Sequence, residues 1–311
     1  MTLNKKFNIL ILIAILSKFA VAQQLPQLTQ YMMNNYAINP AVAGMQDYYQ
    51  VRTTIRNQWV GFEDAPTTNI ISIYGKRGNN LGLGGIVFND QVGPTSRTGA
   101  NVSYSYHLKI DKQISLALSL SAGFKQFKID KNGWNVQHPD DPMTQGDVIV
   151  DAVPDAIFGF NIYADNWYFG GSVPQLISSN IQLLDSDFAR NYNNQTTGSL
   201  DPHIYILGGY NHKFNNYWSL EPSVLVKHVS PSPTQFDIGV KTEYSDKLWF
   251  GLNYRSNGDL AGLFGYNIGE RFIVGYSYDI VNADINNYSS SSHEIMIGIN
   301  FLPLEEIEIL D

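Results

Sequence analysis

The stretch Leu116–Phe124, LALSLSAGF, places large apolar residues at 116, 118, 120 and 124 and small, mostly polar ones between them. A β-strand turns successive side chains to opposite faces, so this period of two gives one apolar face and one small, polar face. Ala100–Leu108, ANVSYSYHL, repeats the pattern with Val102, Tyr104, Tyr106 and Leu108 on the apolar side. So do Phe158–Ile162, Phe236–Lys241, Arg271–Asp279 and Ile295–Phe301. Runs of about ten alternating residues have the length that a tilted strand needs to cross a bilayer. Strands of soluble sandwiches are usually shorter, about 5–6 residues. Length therefore favours strands that face lipid.

Composition agrees. Among 311 residues there are 26 Gly, 19 Tyr and 16 Phe, and only 15% are charged; about 25% is usual for soluble domains. No segment after residue 22 offers the roughly 20 apolar residues of a membrane-spanning helix. Lipid supplies no hydrogen-bond partners, so a sheet placed in it must close on itself. The expected fold is an all-β transmembrane barrel of the outer-membrane type.

Fourteen antiparallel strands are predicted, at roughly 48–58, 67–76, 81–90, 97–108, 114–128, 153–164, 166–175, 202–213, 218–229, 234–244, 247–256, 259–268, 271–280 and 293–301. The connections after even-numbered strands are all short, such as Arg77–Asn80, Asp165 and Ser245–Asp246. The three long ones, Ile129–Ala152, Leu176–Asp201 and Val281–Ser292, all follow odd-numbered strands. Short turns at one end and longer loops at the other are what an even-stranded barrel shows, with the short turns periplasmic. A miscount by one strand would scatter the long loops over both ends. Trp167, Trp218 and Trp249 begin strands at the short-turn end and Phe301 ends the last one there, which predicts an aromatic girdle at that level.

The chain divides into four parts. Residues 1–22 read as an export leader, with a basic start (Lys5, Lys6), an apolar core (Ile9–Leu16) and Ala20-Val21-Ala22 as the cleavage site. Its removal leaves 28 acidic against 17 basic residues, a net charge of −11, which argues against nucleic acid as a partner. Residues 23–47 hold the non-repetitive stretch NNYAINPAVAGM, which is expected at or in the periplasmic mouth, packed in or under the lumen as a plug. Within it, Asn39, Pro40 and Gly44 stand out: Pro40 prevents the segment from adding as an edge strand, and Gly44 allows a turn. Residues 48–301 form the barrel, and 302–311 an acidic tail bearing Glu305, Glu306, Glu308 and Asp311. Both termini are expected in the periplasm. The chain has no Cys, so neither a disulfide framework nor a lipoprotein anchor is expected.

Residues that could carry chemistry are few. Asp140, Asp141, Asp147 and Asp151 could gather around Ca²⁺, yet the segment lacks the EF-hand spacing, and Asp, Asn, Gly and Pro are ordinary loop residues. The six His form no zinc-binding spacing. No G-x-S-x-G motif occurs. No enzyme activity, metal or cofactor is expected. The glycines of GLGG, residues 82–85, sit within a strand, where they permit bending or the close approach of a plug. Arg52 and Arg56 alternate with apolar residues on the first strand and should face the lumen. There they either pair with lumen carboxylates or contact a plug or client chain.

The N-terminal stretch then carries a resemblance. Gln30-Tyr31-Met32, Asn39-Pro40-Ala41, Ala43-Gly44, Arg56-Asn57-Gln58-Trp59 and Pro66 occur in the order seen in the PorP/SprF family of Bacteroidota outer-membrane proteins. The run GLGGIVFNDQVGPTSRTGANVSYSYHL that follows is also similar to this family. The resemblance implies an outer-membrane barrel of the type IX secretion system and gliding motility. It implies, as partners, a large secreted adhesin recognised by its type B C-terminal domain, and other secretion components such as the periplasmic ring. The family supplies no catalytic residues. A solute-transport channel is the alternative reading that the barrel pattern leaves open.

Overall fold

The computed structural model describes residues 25–132, 148–181, 198–282 and 291–301. Fourteen strands form the barrel: β1 Tyr49–Asn57, β2 Thr67–Arg77, β3 Leu81–Val92, β4 Thr95–Lys109, β5 Ser115–Asp130, β6 Val148–Tyr163, β7 Trp167–Val173, β8 Ile204–Tyr210, β9 Trp218–His228, β10 Gln235–Tyr244, β11 Leu248–Arg255, β12 Leu260–Ile268, β13 Phe272–Ile280 and β14 Ser292–Phe301. Each pairs antiparallel with its neighbours in sequence. The seam closes where β1 meets β14, from Tyr49 opposite Phe301 to Asn57 opposite His293. Closure removes both sheet edges, whose unpaired N–H and C=O groups would each cost several kcal/mol in hydrocarbon. The leader, the tail with Glu305, Glu306, Glu308 and Asp311, and Asp140, Asp141 and Asp147 lie outside the described residues.

Alternation divides lipid from lumen. On β5, Leu118, Leu120 and Phe124 are exposed outward, whereas Ala117, Ser119, Ser121 and Lys125 are buried inward. On β14, Ile295, Ile297 and Ile299 face out while Glu294 and Met296 are buried. At the short-turn end, Trp218, Tyr244, Phe272 and Phe301 point outward, and the Trp218 and Tyr244 rings lie 4.7 Å apart. Trp249 departs from the expected girdle. It is 1% exposed and packs inward over Gly265 and Gly275. Its level on the strand is as expected, but it shares the inward parity of Gly251, Asn253 and Arg255. In the turn after β4, Asp111 accepts hydrogen bonds from the N–H groups of Gln113 and Ile114 at 2.7 and 2.8 Å, which hold its carboxyl below the usual carboxylate range.

Strands β4, β5 and β6 are the longest, at 15, 16 and 16 residues. A bilayer needs only about 9–11. The excess stands at the long-loop end, because β7 pairs with β6 only from Phe158 to Tyr163. Beyond that level Phe127 and Val153 pack with Ile181 and Leu200 from the β7–β8 connection. β6 thus begins at Val148 rather than near 153, since Val148–Ala152 continues the ladder opposite Gln126–Asp130. The Asp-rich composition before it masked that alternation.

Candidate functional site

Inside the barrel runs its own N-terminal segment. Residues 25–47 form an irregular strap with two single-turn 3₁₀ helices, Asn35–Ala37 and Pro40–Val42. Thr29, Gln30, Tyr31, Tyr36, Asn39, Ala41 and Ala43 are almost wholly buried. A segment with no regular ladder must find partners for its backbone elsewhere, and here the lumen wall supplies them.

The strap runs the full depth of the barrel. Leu25, Pro26 and Gln27 share a hollow with Gln58, Trp59 and Pro66 at the long-loop end. Thr29 and Gln30 reach Asp279 and Glu294, near the long-loop ends of β13 and β14. Tyr31 bonds Ser223 at 3.1 Å, Asn34 donates to Thr54 at 3.4 Å, and Tyr36 bonds Ser103 at 2.8 Å. His107 holds the Ala43 carbonyl at 2.7 Å, and Asp47 meets Lys76 at the short-turn end, where β1 begins. The first and last described residues, Leu25 and Phe301, therefore lie at opposite mouths. The strap runs through the lumen from one mouth to the other.

The motif residues have defined local roles. Asn39 caps the second 3₁₀ turn: its side-chain oxygen accepts from Ala41 N at 3.0 Å, and its amide donates to Phe160 O at 2.8 Å. Pro40 follows at the first helical position, where its missing N–H is not needed. Gly44 has φ +90°, and a Cβ there would lie 2.8 Å from both Gly82 Cα and His107 Nε2. Gly82 in turn abuts Ala43, and Gly84 abuts Tyr36, whose ring stacks on Tyr74 with centroids 4.4 Å apart. The inward glycines of GLGG are the surface on which the strap lies.

Arg52 and Arg56 both face inward and are buried, with different partners. Arg56 contacts Asp279 at 2.7 Å, Glu294 at 3.2 Å and the Thr29 hydroxyl at 2.8 Å. It joins the two alternatives, pairing with carboxylates and touching the strap. Arg52 makes neutral contacts instead, to Gln50 Oε1 at 2.6 Å, Asn300 Oδ1 at 2.9 Å and Val51 O at 3.0 Å. It lies across Gly298.

Around Arg56 is a cluster that the sequence did not single out. Arg255 contacts Asp279 at 2.9 Å and approaches Asp237 and Asp259, and Lys227 holds Asp237 at 2.9 Å. The Thr29 hydroxyl donates to Asp279 and accepts from Arg56 and Arg255. Glu294 accepts the backbone N–H groups of Thr29 and Gln30 at 2.8 and 2.9 Å. The strap is thus a member of the ionic network. The available signal was parity: Asp279 already stood on the polar face of its strand. Nothing local in the sequence linked it to Arg255 or to Thr29.

The closest approach to catalytic geometry is Ser105 Oγ to His107 Nε2 at 3.4 Å. Both side chains also hold strap carbonyls, Ala41 O and Ala43 O, and His107 Nδ1 meets the Tyr163 hydroxyl rather than a carboxylate. This pair is a clamp. Among the described residues no group of three His, Asp or Glu is arranged to hold a metal ion. Beside the strap is a cavity of about 90 Å³, lined by Leu28, Ile38, Phe88, Ile157 and Tyr205 among others.

Comparison with known proteins extends this geometry. The fold is similar to that of a protein described as the CymD monoaromatic hydrocarbon channel, with a TM-score of 0.51 at 12% identity over 91% of this chain and 95% of that one. The toluene transporter TbuX of Ralstonia pickettii gives 0.49 at 10% identity, covering 87% and 92% of the two chains. The outer-membrane protein Omp33 of Acinetobacter baumannii gives 0.46 at 9%, covering 84% and 100%. At such identities the likeness is one of fold. No curated protein matches the sequence. Residues 20–299, however, match the family described as type IX secretion system membrane protein PorP/SprF. The chain, an outer-membrane β-barrel threaded by its own N-terminal strap, belongs to the PorP/SprF family of type IX secretion membrane proteins.

Proposed function

We propose that this barrel is a non-enzymatic holder that supports the export and surface attachment of a large secreted adhesin through its type B C-terminal domain. In this reading the short turns face the periplasm, where other secretion components meet the barrel, and the long loops face outward. The observation that carries it is the strap. A lumen filled from mouth to mouth by the chain itself, and bonded to the wall along its length, suits a fixed scaffold better than a conduit. A client domain of ordinary interface size would bury about 1,600 Å² in total, more than a lumen already occupied by the strap can offer.

A solute channel is the second reading, favoured by the fold likeness to a hydrocarbon channel. It requires the strap to move aside. Purification from the native membrane in mild detergent separates the two. The expected result is co-purification of a secreted protein ending in a type B domain, together with secretion components. A barrel that emerges alone, and that passes solute with saturable kinetics sensitive to lumen substitutions, would sink the holder reading.

A further inference from the structure

The direction of the strap decides which mouth its N-terminal end reaches. Leu25, Pro26 and Gln27 lie among Gln58, Trp59 and Pro66 of the β1–β2 loop on one side and Val229, Ser232 and Pro233 of the β9–β10 loop on the other. All of these belong to connections at the long-loop end. From there the contacts descend in order, through Thr29 with Asp279, Asn34 with Thr54, Tyr36 with Ser103 and Ala43 with His107, to Asp47 with Lys76 at the opposite mouth. Only then does the chain reverse and rise as β1.

The strap is held at both depths. Near the long-loop end Glu294 grips two consecutive backbone N–H groups, and the Thr29 hydroxyl joins two guanidinium groups to a carboxylate. Near the short-turn end Ser105 and His107 grip two carbonyls. Drawing the strap out would take two backbone donors from Glu294 and the Thr29 hydroxyl from Arg56, Arg255 and Asp279, while the ion pairs among these wall residues stay in place.

We propose that Leu25–Gln27, the N-terminal end of the described strap, reaches the outer face of the membrane beside the β1–β2 and β9–β10 loops. This rests on the reading that the long loops face outward. The chain contains no Cys, so single-Cys variants give an unambiguous readout. Gln27→Cys and, independently, Leu25→Cys report on the strap. Glu63→Cys, exposed in the β1–β2 loop, reports on the long-loop end, and Asn79→Cys, exposed in the β2–β3 turn, on the short-turn end. Each is treated with a membrane-impermeant maleimide on intact cells and again after permeabilisation. The expected result is that both strap variants label on intact cells as Glu63→Cys does, while Asn79→Cys labels only after permeabilisation. If Glu63→Cys labels on intact cells but neither strap variant does, the strap placement is overturned and the orientation stands. If Asn79→Cys labels on intact cells and Glu63→Cys does not, the orientation itself fails, and surface display fails with it.

Discussion

Thr29 is a small residue with a large share in the lumen network. Its hydroxyl donates one hydrogen to Asp279 and accepts from Arg56 and Arg255, while its N–H goes to Glu294. Thr29→Val keeps the shape and removes the hydroxyl, so two buried guanidinium donors and one carboxylate lose a partner. Leaving such groups unsatisfied costs about 1–3 kcal/mol. The unfolding temperature in detergent should fall for Thr29→Val and stay near the parent value for Thr29→Ser, which keeps the hydroxyl. Equal behaviour of the two variants would remove the hydroxyl from the account. At this scale the sequence was partly legible. Arg56 on the inward face of β1 follows from alternation beside Ile55. Its partners, 223 and 238 positions away, do not.

The strap is the element on which the functional reading turns. Its sequence is rich in Asn, Pro and small residues because each position meets a specific constraint. Asn39 caps a turn, Pro40 starts it, and Gly44 passes between Gly82 and His107. Such a segment has no period, so its presence could be read but not its course. Deleting residues 24–45 should raise single-channel conductance in planar bilayers, measured on protein that retains its β-sheet circular dichroism. Conductance equal to that of the full chain would rule out the strap as a plug. The strands behave in the opposite way. Their number, spacing and facing were readable because alternation repeats at every second residue. The β5–β6 hairpin was read short by several residues where charged and turn-forming residues interrupted the pattern.

At the scale of the whole molecule, the question is whether the barrel works closed. The β1–β14 seam pairs Thr53 with Ile297, both outside the ionic cluster. A Thr53→Cys, Ile297→Cys pair can be oxidised across this seam in a chain that has no other Cys. A scaffold that holds its client at the mouth should retain it equally in the oxidised and reduced states, as read by co-purification. Loss of the client on oxidation and recovery on reduction would mean that the seam must open. The family match and the closed sheet agree on a secretion-system barrel, and the strap suggests how such a barrel can be rigid without a soluble core.

The amino-acid sequence by itself determined the two-residue period, the fourteen strands, the closed sheet and the division between lipid and lumen faces. These follow from local geometry and from the lack of hydrogen-bond partners in lipid. Each strand declares its own facing, as Leu118 and Ser119 do side by side. Only the tertiary structure decided the direction of the strap, the pairing of Arg56 with Asp279 and Glu294, and the gathering of Thr29 into that network. These depend on which distant strands closure brings around one axis. A non-repetitive segment inside that space takes its course from the donors and acceptors that face it, not from any preference of its own residues.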